Sequence, residues 1–345
     1  MIALTLLLAA ADPSAPCVRA LAAAPGMACV EAGRGVVLAE DESEARRLAA
    51  HAVGAEARFA QGFSGSSAPY AVIMAPSTSA RNGLKAAGFQ HVLSWPAPRS
   101  FNEAARSSLE TGARRFAASQ GMTEAQTRQV VERALSQLPT PEAQAALDAG
   151  MVPHELGHLW FTAAFWPDAA ASETEAPRHY GGPGPDWLDE AAAVFMEDEA
   201  TADQRRDQFR ALMRGETLPA LGPTDGRSVL LDLAGFLGRD HPGLARAVSV
   251  APDLARSGGV GVSFTPAGAG PAPATLERLF YVQARVFSDY LIRTSGRPAV
   301  LAEIAQATAG GQDFETWLAR RGPDLGLPSS LAALQTDWDR FARNF

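Results

Sequence analysis

Basic charge is scarce in this chain. Lysine and arginine total 30 against 38 aspartate and glutamate, for a formal net charge of −8, and Lys85 is the only lysine. No basic surplus is left to neutralise phosphates, which argues against a nucleic-acid partner. Long apolar runs are also missing. No stretch approaches the roughly 18 residues that a membrane span needs, so no transmembrane span is expected. Cysteine occurs only at Cys17 and Cys29. Two cysteines that close a short loop suit an oxidising compartment, and they could equally be two free buried thiols. Cys17 follows Ser14-Ala-Pro and lacks the aliphatic residue of a lipoprotein signal. Disorder is not expected either. The 345 residues are 47% hydrophobic and 20% charged, a globular balance that allows one large domain or two ordinary ones.

The first eleven residues, MIALTLLLAAA, form a short apolar run ending in small residues, and Asp12-Pro13 follows. Residues 1–11 read as a signal peptide without a basic start, the alternative being a buried first helix or strand. Export to a periplasmic or secreted location is the expectation. Short strands are expected at Gly35–Glu40, at Tyr70–Pro76 and at His91–Trp95. Helical pattern occupies Glu42–Val53, then Ser79–Ala87 closed by Gly88. From Phe101 onward the pattern is helical, with breaks at Gly121 and Pro139–Pro141. Gly/Pro-rich loops are expected at 167–185 and 257–273.

One helical stretch carries chemistry. Residues 154–158 read His-Glu-Leu-Gly-His. On a helix His154 and His158 sit one turn apart on one edge, so both imidazoles reach a common point, as two zinc ligands must. Glu155 lies beside that edge, placed for a water rather than the metal. Pro153 is expected in the first turn of this helix, where its missing N–H costs nothing, and Trp166-Pro167 should end it. A catalytic zinc needs a third protein ligand. Downstream, Asp186-Trp-Leu-Asp-Glu-Ala-Ala-Ala-Val-Phe-Met-Glu197 reads as a helix capped by Asp186, with Glu190 and Glu197 on one face of an otherwise apolar stretch. Buried carboxylates need partners. Glu190 is therefore the expected third ligand, and Glu197 the acceptor for the outer nitrogen of a ligand histidine. Asp189 is expected at the surface or in a cap. His51, His91 and His241 have no ligand spacing and read as ordinary surface or core residues. His179 reads as a cleft residue or a plain loop histidine.

His154-Glu155-x-x-His158 followed by Trp187-Leu-Asp-Glu190-Ala-x-Ala and Glu197 resembles the gluzincin metallopeptidases of the peptidase MA-like superfamily. Ala191 stands where that family commonly has glycine, and the gap between His158 and Glu190 is longer than usual. The resemblance covers residues 140–345 and implies a zinc-activated water with Glu155 as base. The helix at Leu276–Gly296 is similar to one near the C-terminal end of such domains. Its apolar stripe takes in Phe280, Gln283, Phe287, Tyr290 and Leu291, which makes Tyr290 a core residue, whereas Tyr281 falls off the stripe toward water or a cleft. The resemblance implies an oxyanion-donor role for Tyr281. No Gly-x-Met-Glu-Asn segment precedes the zinc helix, which favours an endopeptidase over an aminopeptidase.

The expected protein is α+β: a small N-terminal mixed β-sheet with helices over residues 30–150, then a mostly helical zinc-binding part over 151–345, zincin-like. Its expected activity is zinc-dependent hydrolysis of internal peptide bonds in a polypeptide substrate. The alternative is a zinc-holding envelope module without turnover. Oligomeric state is not legible in the sequence.

Overall fold

In a computed structural model of the chain, the described residues are 14–63, 65, 67–74, 78–95, 98–136, 138–168, 182–218, 230–242 and 273–345. The signal-peptide reading, the loop at 257–272, His179 and most of the 167–185 loop lie outside them. The described chain is mixed α and β, as expected, with one four-stranded sheet and many helices. By internal packing it divides into two units, residues 1–53 with 68–97 and residues 54–67 with 98–345.

The first unit holds α1 (Pro16–Ala23), β1 (Ala28–Ala32), β2 (Gly35–Ala39), the first half of α2 (Glu42–Phe63), β3 (Tyr70–Ile73), α3 (Thr78–Ala86) and β4 (His91–Ser94). Strand order is β1-β2-β3-β4, with β1 antiparallel to β2 and the other pairs parallel. Every residue of β2 and β3 is buried. That matches their unbroken apolar runs, because a parallel strand covered on both faces needs no polar alternation. Strand β1 carries less β-branched character and was not legible as a strand. A two-residue turn with Gly33 at φ +55° folds it back onto β2. A disulfide joins Cys17 of α1 to Cys29 of β1, with 5.7 Å between Cα atoms. Ala20, Leu84 and Phe89 cover one side of Val36, Leu38, Ala71 and Ile73.

The second unit begins with the latter half of α2 and continues through α4 (Pro98–Ser119), α5 (Glu124–Leu135), α6 (Pro141–Phe165), α7 (Asp186–Met196), α8 (Glu199–Met213), α9 (Leu233–Leu237), α10 (Pro273–Ser295), α11 (Val300–Ala309), α12 (Phe314–Arg321) and α13 (Leu331–Asn344). Helix α6 packs along α7, and α10 packs on α7 and α8. Phe59 and Phe63 of α2 meet Trp160 and Phe161 of α6, which fixes the outer side of that helix. Helix α10 is buried on nearly every side from Leu279 to Ser288. This is why Tyr281, off the apolar stripe, is nevertheless buried. Tyr290 is core, as expected, and its hydroxyl donates to Asp337 Oδ2 at 2.9 Å.

One local expectation is corrected. Pro153 does not start a helix. Helix α6 begins twelve residues earlier, with Thr140 accepting from the Ala143 N–H and Pro141 in the first turn, so Pro153 is internal. An internal proline forfeits one backbone hydrogen bond. Burial of Val152, His154, Leu156, His158, Trp160 and Phe161 on the same helix outweighs that loss.

Candidate metal centre

Helices α6 and α7 bring the expected residues together. His154, His158 and Glu190 are buried and offer ligand atoms that all lie within 4.8 Å of one another, a group that could hold a metal ion. The two Nε2 atoms are 3.2 Å apart. Glu190 Oε1 is 3.4 Å from His154 Nε2, and Glu190 Oε2 is 3.8 Å from His158 Nε2. Four ligands at about 2.05 Å around a tetrahedral ion stand about 3.3 Å from one another. The three atoms thus already sit near the spacing a metal requires. The close approach of the helices depends on Gly157. A Cβ there would come within 2.9 Å of both Ala193 Cα and Met196 Cγ. The small residue at the second variable position of the motif is a packing requirement of this crossing.

Whether these side chains suit a cation is answered by Glu190 itself. It is wholly buried, and neither carboxylate oxygen makes a hydrogen bond among the described residues. An ionised carboxylate in that setting costs several kcal/mol unless compensated. Burial pushes the Glu190 carboxyl up, but His154, His241 and His158 around it outweigh this and bring it down to about 2. The site therefore keeps a buried anion facing three imidazoles, a donor set fit for a cation such as zinc.

Each candidate ligand histidine is anchored from behind. His154 Nδ1 is 3.0 Å from Glu197 Oε1, the contact expected for Glu197. Glu197 sits just past the end of α7 at φ −58°, ψ 153°, and Arg205 of α8 donates to it, Nε to Oε2 at 2.5 Å and Nη2 to Oε1. Burial pushes the Glu197 carboxyl up, and Arg205 more than reverses this, so it lies below its ordinary value. His158 Nδ1 is 2.9 Å from Asp189 Oδ2. Asp189 is 2% exposed, which corrects the surface or cap reading. Its neighbour relation to Glu190 hid this role, because residues one apart point about 100° from each other. That rotation aims Glu190 between the histidines and Asp189 behind His158. Burial alone would lower the His158 pKa. The Asp189 carboxylate, with Glu190 and Glu155 adding, overrides this and raises it to about 10 in the metal-free protein. With Nδ1 of each ring turned to its carboxylate, a proton kept there and lost from Nε2 gives the tautomer that metal binding needs.

The remaining residues fall around this centre. Glu155 is half-buried beside His158. Asp186 does not cap α7. The N-cap is Pro185, with no side-chain cap bond, and Asp186 Oδ2 instead accepts the backbone N–H of His241 at 2.6 Å. His241, expected to be an ordinary residue, is 1% exposed with Nε2 at 3.4 Å from Glu190 Oε2. No local spacing could have found it, since 51 residues separate it from Glu190. Tyr281 is 8% exposed rather than solvent-facing. Its ring meets the His154 ring edge-on at 5.4 Å and stacks on His241 at 5.5 Å, and the Arg205 guanidinium lies 5.0 Å from its centre. Its hydroxyl donates to Glu277 Oε1 at 2.8 Å. Tyr281 also lines a cavity of about 620 Å³ together with Gly150, Arg205 and Arg278. No helix among the described residues is long and apolar enough to cross a membrane.

No family model matches the chain, and no curated protein or solved structure is significantly similar to it.

Proposed function

We propose that the protein is a zinc-dependent peptidase of the gluzincin type that cleaves internal bonds of a polypeptide. The observation that carries this reading is the pairing of a buried His-His-Glu group with Glu155, which the three-residue ligand set does not use. His154, His158 and Glu190 would hold the ion. Zinc supplies Lewis-acid polarisation of the scissile carbonyl and of water. Glu155 takes the proton from the attacking water and delivers it to the leaving nitrogen, the role of a positioned general base and acid. Glu197 and Asp189 keep the two imidazoles oriented and in one tautomer. Tyr281 steadies the oxyanion once its hydroxyl leaves Glu277. Export to an oxidising compartment is part of the proposal, supported by the Cys17–Cys29 disulfide and the apolar leader.

A second reading is a zinc-holding module without turnover. Burial favours it: His154 and Glu190 are 0% exposed, as in closed structural sites. Glu155 separates the two. Glu155→Gln touches no candidate ligand, so zinc content and melting temperature should match wild type. Cleavage of an unfolded protein substrate should fall by about 10²-fold or more. Zinc-loaded wild type that cleaves no unfolded polypeptide, and is indistinguishable from Glu155→Gln, sinks the peptidase reading in favour of the module.

A further inference from the structure

Three candidate ligands converge on one point, and two of them, the histidines, are each held from behind by a carboxylate. Glu190 needs an equivalent restraint, because a carboxylate can bind a metal through one oxygen or two. His241 is in place to supply it. Its backbone N–H is held by Asp186, the first residue of the helix that carries Glu190, so the segment is fastened to α7 one turn below the ligand. Its ring is packed edge-on against Phe280 at 5.3 Å and stacked on Tyr281. These contacts leave Nε2 3.4 Å from Glu190 Oε2. Glu190 Oε1 is 3.4 Å from His154 Nε2, whereas Oε2 is nearer to His241 Nε2 than to His158 Nε2 at 3.8 Å. His241 nevertheless stays outside the group whose ligand atoms are mutually within 4.8 Å. It approaches the metal ligand without joining the ligands.

We infer that His241 is a positioning residue: with the ion bound, its Nε2–H turns onto Glu190 Oε2, 3.4 Å away in the metal-free protein, and keeps Glu190 a one-oxygen ligand through Oε1. The inference rests on the metal reading above. An N–H on Oε2 occupies the lone pair that two-oxygen binding would use, and it keeps an additional coordination position for substrate or water. The same ring is the platform under Tyr281, so one histidine sets both the third ligand and the tyrosine beside it.

The test is cobalt titration of the full chain, reading affinity and the visible d–d spectrum, which distinguishes low from higher coordination number. His241→Phe keeps a ring and removes the donor, and His241→Gln places a donor N–H near the original Nε2. His241→Phe should weaken Co²⁺ binding by about 10- to 100-fold, the usual effect of losing a group that orients a ligand. Its spectrum should also lose intensity as Glu190 takes up two-oxygen binding. His241→Gln should stay within a few-fold of wild type and keep the wild-type spectrum. Equal affinity with an unchanged spectrum in His241→Phe overturns the inference and leaves the metal site standing. A loss in His241→Gln as large as in His241→Phe assigns His241 to packing and also overturns it. Wild type that takes up no Co²⁺ removes the metal reading itself, and this inference with it. Should His241→Phe fail to fold by circular dichroism, His241→Asn, too short to reach Oε2, takes its place under the same criteria.

Discussion

Replacing Asp189 by Asn tests the centre where two effects oppose each other. In the metal-free protein His158 holds its proton up to about pH 10, against burial, through the Asp189 carboxylate 2.9 Å away. A metal binds only the imidazole that has lost the Nε2 proton. Wild-type affinity should therefore rise about tenfold per pH unit from 7 to about 10, which amounts to about 4 kcal/mol of proton competition at neutral pH. The same raised pKa stabilises the metal-free fold below the ordinary histidine value, a contribution lost as pH rises through about 10. Asp189→Asn removes the charge. Burial then pulls the His158 pKa down, so the rise in affinity should level off at lower pH. It also removes the anchor on Nδ1, which should weaken binding above the plateau by about 10- to 100-fold, or about 1.4–2.7 kcal/mol. The two affinity curves should converge or cross as pH falls. Zinc competition against a chromophoric chelator from pH 6 to 9 gives the curves. Calorimetry in buffers of different ionisation enthalpy gives the proton count, about one released from His158 in wild type at pH 7 and fewer in the variant. Parallel curves with equal proton release would refute the idea that Asp189 governs the His158 proton.

Other outcomes follow from the same geometry. His154→Ala, His158→Ala and Glu190→Ala should each abolish stoichiometric zinc by elemental analysis, and full occupancy in Glu190→Ala would place the third ligand elsewhere. Gly157→Ala forces a Cβ to 2.9 Å from Ala193 Cα and Met196 Cγ, so it should cost about 1–3 kcal/mol by denaturant melts and loosen zinc binding, whereas an unchanged melt would mean that the helices part freely. Tyr281→Phe should lower kcat by roughly 10- to 1,000-fold with zinc retained, as for loss of one oxyanion donor, and unchanged kinetics would leave its hydroxyl to Glu277 alone.

Much of the centre was legible because its chemistry is local. The four-residue histidine spacing and the acidic residues of α7 are read directly from helical geometry, and the structure gathers His154, His158, Glu190 and Glu197 as that geometry requires. Asp189 was legible in principle. It is another acid in an otherwise apolar stretch, and the burial argument applied to Glu190 and Glu197 covers it equally. His241 was not legible, because tertiary packing alone brings it to Glu190. Pro153 misled for a related reason. Its local cost marks a helix start, but the signals at Thr140 and Pro141 and the buried face beyond them carry the helix through. In the first unit, β2, β3 and β4 announced themselves by apolar runs, whereas β1 depends on its hairpin partner and on the Cys17–Cys29 link.

The end of α7 has a consequence for how the centre comes into being. Arg58 Nε donates to the Met196 carbonyl at 2.7 Å, and Arg285 Nη1 to the Val194 carbonyl at 3.1 Å. These arginines come from α2 and α10, 138 and 91 residues away along the chain. The recognisable motif spans little more than forty residues, yet the helix that presents Glu190 is fastened by partners synthesised both long before and long after it. A fragment cut to α6–α8 keeps every candidate ligand and loses both fastenings. Assembly of the candidate centre should then wait until α10 has been made and docked, and a protein truncated before residue 273 should carry the motif without the centre.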